Sequence, residues 1–193
     1  YFFREPQVLN YFRDQILPGL AQRSDIRVWS AAASSGDEAY TIAIIAAEAL
    51  GRLQAIRRLS ILGTDISEPV LARAESGIYG KSHLEHTAPE LRTRYFKPCG
   101  IDQLQVQLDI RSMCTFRRLN LKATPFPFRN AFSVIFCRNI LYYFDKAHQL
   151  AALEAIYDVT EPGGWLLTSV TESVRELGSR WHPVDTGVYR RLP

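Results

Sequence analysis

Three clusters of small or hydrogen-bonding residues, each directly behind an apolar run, carry the chemistry legible in this chain. The first is Ser30-Ala31-Ala32-Ala33-Ser34-Ser35-Gly36-Asp37-Glu38-Ala39-Tyr40, whose small side chains let the backbone approach a ligand closely. With Gly36 alone it falls short of G-x-G-x-x-G, which favours a ligand without a pyrophosphate. Ser35 to Glu38 also satisfies S-x-x-E, so a helix capping box is the structural alternative for Glu38. In the second cluster, Leu62-Gly63-Thr64-Asp65-Ile66, an acid follows an apolar strand, where it can accept two hydrogen bonds from a ribose diol. Alternatively Asp65 opens the turn before Ser67-Glu68-Pro69. In the third, Phe136-Cys137-Arg138-Asn139-Ile140-Leu141-Tyr142-Tyr143-Phe144, the planar Arg138 guanidinium beside the Asn139 amide suits a carboxylate. Tyr143 offers a hydroxyl, although three successive aromatics are more often core.

For these clusters to share one crevice, they must end parallel strands of an open α/β sheet. The pattern supplies them. Strands are expected at 27–31, 59–63, 116–119, 132–136 and 165–168, and a final strand at 187–191. Helices are expected at 8–20, 38–50 and 68–76, and strand–helix alternation implies a mainly parallel sheet. The first helix, with Leu9, Phe12, Ile16 and Leu20 at three-to-four spacing behind Glu5-Pro6, is expected to lid one sheet face. Between Gly77 and Thr115 the rhythm breaks. Gly80, Pro89, Pro98 and Gly100, with a strand-like alternation at Gln103 to Leu108, suggest an inserted β-subdomain.

At 193 residues and 47% hydrophobic content, the chain is expected to form one domain with an ordinary core. A formal charge of +3, from interspersed basic and acidic side chains, argues against a nucleic-acid or membrane surface. The short cluster Arg57-Arg58 reads as a solvated helix end. Cys99, Cys114 and Cys137 form no C-x-x-C pair, so neither a disulfide framework nor a metal site is expected, and a reducing cytoplasmic setting fits. No apolar run reaches the roughly 18 residues of a membrane span, and Tyr1-Phe2-Phe3-Arg4 lacks a signal-peptide layout. The missing initiator Met implies that something upstream was removed.

Taken in order, Phe2-Phe3-Arg4, RVWSAAASSGDEAYTIAI, GTDIS with VLARAESGIYG, RLNL, FCRNILYYF and EPGGWLL closely resemble the CheR-type chemotaxis receptor methyltransferases. The blocks match in order and spacing over nearly the whole chain. The resemblance implies a Rossmann-like S-adenosylmethionine-dependent methyltransferase fold. Its sheet is seven-stranded and mainly parallel, with an antiparallel last strand and a small β-subdomain inserted within 77–115. It implies a cytoplasmic, monomeric protein-glutamate O-methyltransferase acting on the cytoplasmic helices of methyl-accepting chemoreceptors, with S-adenosylhomocysteine as product. Carried over by motif, Ser34, Glu38, Asp65, Asn120, Leu121 and Asn139 are implied cofactor contacts; Arg4, Arg138 and Tyr143 are implied active-site groups.

Some positions depart from the family. Its usual Cys-Ser-Thr-Gly-Glu-Glu-Pro-Tyr is Ala33 to Tyr40 here, keeping Glu38 but losing Cys and Pro. A family hydroxyl two positions ahead of Phe2 and the helical N-terminal domain fall outside this chain. Where the family carries a histidine after the late Gly-Gly strand, this chain has Ser169-Val170-Thr171-Glu172. A regulatory or scaffolding module that binds cofactor without turnover is the alternative function.

Overall fold

The computed structural model describes residues 1–193. Ten strands form, in chain order: β1 (Ile26–Ser30), β2 (Leu59–Asp65), β3 (Ile78–Gly80), β4 (Phe96–Gly100), β5 (Gln103–Val106), β6 (Cys114–Arg118), β7 (Phe132–Phe136), β8 (Thr160–Leu167), β9 (His182–Asp185) and β10 (Val188–Arg190). Seven of them make one sheet in the order β6-β2-β1-β7-β8-β10-β9, and β3, β5 and β4 make a separate small sheet. All pairings from β6 through β8 are parallel; β10 runs antiparallel to both β8 and β9. The order reverses between β2 and β7 on either side of β1. In an open α/β sheet, the crevice for a ligand lies at the carboxyl ends of those strands.

The eight α-helices are α1 (Pro6–Tyr11), α2 (Leu17–Leu20), α3 (Asp37–Leu50), α4 (Arg52–Arg58), α5 (Glu68–Ser76), α6 (Pro89–Tyr95), α7 (Leu108–Arg111) and α8 (Lys146–Asp158). Between α1 and α2 the chain keeps winding through a π-helical turn, Phe12–Ile16. This composite helix buries Val8, Leu9, Phe12, Ile16 and Leu17, and Phe12 meets Phe136 of β7 edge-on at 5.2 Å. It covers one sheet face as its spacing predicts. α3 is buried nearly all round from Asp37 to Ala47, as its Ala and Ile content requires. β7 is buried at every residue, the burial expected for a strand covered on both faces.

Several features escaped the sequence reading, among them the short helices α6 and α7 within 77–115. β8 begins at Thr160, five residues before its expected start, because Pro162, Gly163 and Gly164 look like a turn but lie in the strand. The irregularity is real: Gly163 has φ +77°, and the register with β7 shifts between Phe132 and Val134. α8 was not expected; of its Ala-rich length only Ala152, Leu153, Ala155 and Ile156 are buried. Its start is defined by Asp145, whose side chain accepts from the His148 backbone N–H at 2.9 Å. β9 is exposed at all four residues and so carries no apolar pattern. The expected alternation to Leu108 ends at Val106, where the chain turns into α7. No helix is long and apolar enough to cross a membrane.

Candidate active site

From Ser30 the chain turns through residues 31–36 into α3, pinned to both flanking strands. The Ala31 N–H donates to Phe136 O and the Ala33 N–H to Thr64 O, each at 2.8 Å. Ser34 has φ +49° and Gly36 φ +89°. Gly36 itself is the N-cap of α3, and no side chain caps the helix, so the capping-box alternative is wrong. Glu38 is drawn elsewhere: it accepts from the Ser30 hydroxyl at 2.7 Å and from Arg138 Nη1 at 3.2 Å. The smallness of Gly36 also serves the protein more than a ligand. A Cβ there would lie 2.8 Å from Ala74 Cβ and 3.0 Å from Tyr79 Oη.

At the end of β2, Asp65 makes the turn expected of it and also reaches the first cluster. Its Oδ1 accepts from the Ser67 N–H at 3.0 Å, the turn geometry, while Oδ2 accepts from the Ser34 N–H at 3.1 Å. The carboxylate thus ties the two clusters together at the crevice. It lines a cavity of about 260 Å³, largely apolar, with Ile66, Asn120, Leu121, Ile140 and Phe144. Leu121 is buried, and the Asn120 side-chain oxygen accepts from the Lys122 N–H at 2.9 Å.

Beyond β7 lies the densest set of charges. Arg138 is 4% exposed; its Nη1 meets Glu38, and its Nη2 donates to the Arg4 carbonyl at 2.5 Å and to Glu5 Oε2 at 3.4 Å. Its Nε is buried without an acceptor. Asn139, at φ +58°, donates from Nδ2 to Glu5 Oε1 at 3.0 Å. Tyr143 is 70% exposed and rests against Tyr142 with ring centroids 4.4 Å apart, so these aromatics are not core. Arg4 is exposed, with its guanidinium 6.0 Å over the Tyr1 ring. The segment carrying it is bent by two left-handed non-glycine residues, Phe3 and Glu5. It is anchored by the buried Phe2 and by the Phe3 N–H on Thr41 Oγ1 at 3.1 Å.

Arg4, Ser34, Glu38, Arg138, Asn139 and Tyr143 all line a second cavity of about 280 Å³. Asp65, Asn120 and Leu121 line the first. Ala32 borders both, so every residue singled out in the sequence faces one two-part cleft, polar on one side and apolar on the other. Burial raises the Glu38 carboxyl above its ordinary range, outweighing Arg138. Burial acts the same way on Glu5, but there hydrogen bonds from Asn139 and Ser169 and the charge of Arg138 prevail and lower it. The Cys137 thiol, next to Arg138 in sequence, is pushed well up by burial and is no nucleophile at neutral pH.

Two acids in this network were given no site role in the sequence analysis. Glu5 adjoins Arg4 and was read only as part of a helix start. Glu172 lies three residues after Ser169 at the carboxyl end of β8; its position behind an apolar strand was the available signal.

Residues 1–189 match the family described as CheR methyltransferase, SAM binding domain. The chain belongs to this family. It is 34% identical over 181 residues to the chemotaxis protein methyltransferase of Borreliella burgdorferi, covering 91% of this chain and 64% of that one. It is 36% identical over 180 residues to a probable chemotaxis protein methyltransferase of Rhizobium etli, covering 90% and 66%. The chain therefore spans just under two thirds of the length of these curated relatives. The crystal structure of DszA carbon methyltransferase shares the fold at a TM-score of 0.53 and 18% identity, covering 86% of this chain and 34% of that one. In this CheR-family domain the cofactor is S-adenosylmethionine. The seven-stranded sheet with antiparallel final strands and the small added sheet are those the resemblance implies.

Proposed function

We propose that this CheR-family domain transfers a methyl group from S-adenosylmethionine to glutamate side chains on the cytoplasmic helices of chemoreceptors, forming γ-glutamyl methyl esters. Residues 1–193 act as the catalytic domain, and 77–115 as its inserted subdomain. The observation that carries this reading is the convergence of Arg4, Arg138, Asn139 and Tyr143 on the polar half of the cleft, beside an apolar half that Asp65 borders. Guanidinium and amide groups so placed suit the carboxylate of an amino-acid moiety. The apolar half offers Leu121 and Ile66 to an adenine and the Asp65 carboxylate to a ribose. Ser34, Glu38 and Asn139 complete the binding set between these ends.

When bound, the cofactor supplies a methyl group activated on a sulfonium sulfur. The chain supplies no general base, because a glutamate nucleophile, with an ordinary pKa near ~4.3, is already ionised at neutral pH. Its task is alignment. Holding the reacting atoms about 3 Å apart and in line removes roughly 7 kcal/mol or more of the barrier. Arg4, exposed at the mouth and free of carboxylate partners, orients the incoming side chain, and the exposed Tyr143 hydroxyl steers its oxygen. A tighter clamp would stabilise the nucleophile in its ground state and slow transfer.

The test is calorimetric titration with S-adenosylhomocysteine, together with base-labile labelling of receptor fragments. Asp65→Ala should weaken binding more than tenfold, about 1.4 kcal/mol. Unchanged affinity removes Asp65 from the site. Wild-type protein that binds the product but labels no receptor favours the scaffolding role.

A further inference from the structure

The last sheet hydrogen bond after β7 is the Cys137 N–H on Leu167 O at 2.8 Å. Beyond it the chain leaves the ladder, and the N–H groups from Asn139 to Leu141, part-buried or buried, need acceptors. One carboxylate provides them. Glu172, 7% exposed, accepts from Asn139 N at 2.9 Å on Oε2, and from Ile140 N and Leu141 N at 2.8 Å each on Oε1. Its Oε2 also accepts from Ser169 N at 3.2 Å, closing its own loop. Three consecutive N–H groups converging on one point form an anion nest, a geometry that requires a left-handed residue. Asn139 supplies it at φ +58°. Here the anion is part of the chain.

We propose that Glu172 is a positioning residue that sets the backbone of the loop from Asn139 to Tyr143, and through it the Asn139 amide and the Tyr143 hydroxyl. This rests on the functional reading above. Glu172 lines neither half of the cleft, so it acts only through its neighbours. The consequences reach both site residues. With its backbone held in the nest, Asn139 directs Nδ2 to Glu5 Oε1, and Glu5 is fixed in turn by the Ser169 hydroxyl at 2.8 Å. The Leu141–Tyr143 helical turn starts from the last of the captured amides. The chemistry demands a carboxylate: it offers acceptor lone pairs on both oxygens and no donor, whereas glutamine would turn an NH₂ against N–H groups. Glu172→Gln is therefore not a conservative change at this position.

Amide hydrogen exchange on the wild-type protein without cofactor provides the first test. Asn139, Ile140 and Leu141 should be protected at least about a hundredfold over an open loop. Exchange at open-loop rates for all three overturns the proposal, and because this uses the wild type it decides even if a variant misfolds. In Glu172→Gln those three amides should lose protection while α3 keeps its own. Turnover should fall on the order of tenfold to a hundredfold, the effect of a small misplacement, with receptor KM changed less than about threefold. In a Tyr143→Phe background the share of that loss that runs through Tyr143 disappears, so the same substitution should cost at least about threefold less than it does in the wild type. Equal losses in both backgrounds, or retained protection in Glu172→Gln, overturn the positioning role. If the wild type methylates no receptor, the functional reading fails. Exchange protection and the S-adenosylhomocysteine affinity of Glu172→Gln, expected to weaken at least about fivefold through Asn139, then decide on Glu172 alone.

Discussion

The two loops that meet at the sheet's switch point are held by different physics. The turn after β1 is held mainly by backbone: the Ala31 and Ala33 N–H groups bond to carbonyls of β7 and β2, Tyr79 Oη donates to the Ser35 carbonyl at 2.6 Å, and a single carboxylate, Asp65, takes the Ser34 N–H. Small residues allow it to sit that close. The loop after β7 is held by charge. Glu5, Glu38 and Glu172 reach it from three distant parts of the chain, and Arg138 lies between the first two. A turn bonded mostly to backbone carbonyls depends little on ionisation. A loop built on buried carboxylates depends on their ionisation and on the N-terminal segment that delivers Glu5.

The sharpest way to break that contrast is Arg138→Met. Removing one partner of a buried ion network leaves the others uncompensated, so urea unfolding at neutral pH should show a loss of about 3–5 kcal/mol. Methyl transfer should fall with it. The sign with pH follows from the two acids. Glu5 is lowered from its ordinary 4.5, so its contribution is complete above that pH and fades as pH falls. Glu38 is raised, so its ionised form opposes folding, and this penalty is relieved as pH falls. The deficit of Arg138→Met should thus shrink on acidification toward pH 4. A deficit below about 1 kcal/mol, or one flat in pH, would mean that charge does not hold this loop.

Gly36→Ala probes the first turn. A left-handed backbone and a Cβ 2.8 Å from Ala74 should together cost about 2 kcal/mol, visible as a lower melting temperature and insensitive to pH between 4 and 7. Tyr79→Phe should give the smallest effect. Deleting its bond to Ser35 should cost about 1 kcal/mol, again without pH dependence. A pH-dependent loss in either variant would erase the distinction between the loops.

Legibility followed the same divide. The turn from Ser30 to Tyr40 was visible because small residues, a strand and a buried helix occur within one short window, and Asp65 because it ends an apolar run. Asn120 and Leu121 were reached through motif resemblance alone, and Arg138 was legible as a carboxylate partner but not as a buried one. The structure buries it, because two carboxylates that are remote in sequence converge on it. Glu38 shows how a local rule is overridden: S-x-x-E suggested a cap, but a guanidinium exactly a hundred positions away proved the stronger partner.

Composition and periodicity by themselves determined a mainly parallel α/β sheet, its central strands with the helices α3 and α5, and the three clusters at strand ends, because these depend on side-chain patterning over a few turns. Tertiary structure alone decided which acids serve those clusters. Glu5 and Glu172 acquire their roles only when the amino-terminal segment and the end of β8 are brought beside the loop after β7. A hydrogen bond is set by distance in space, and nothing in the local pattern of either residue encodes that distance.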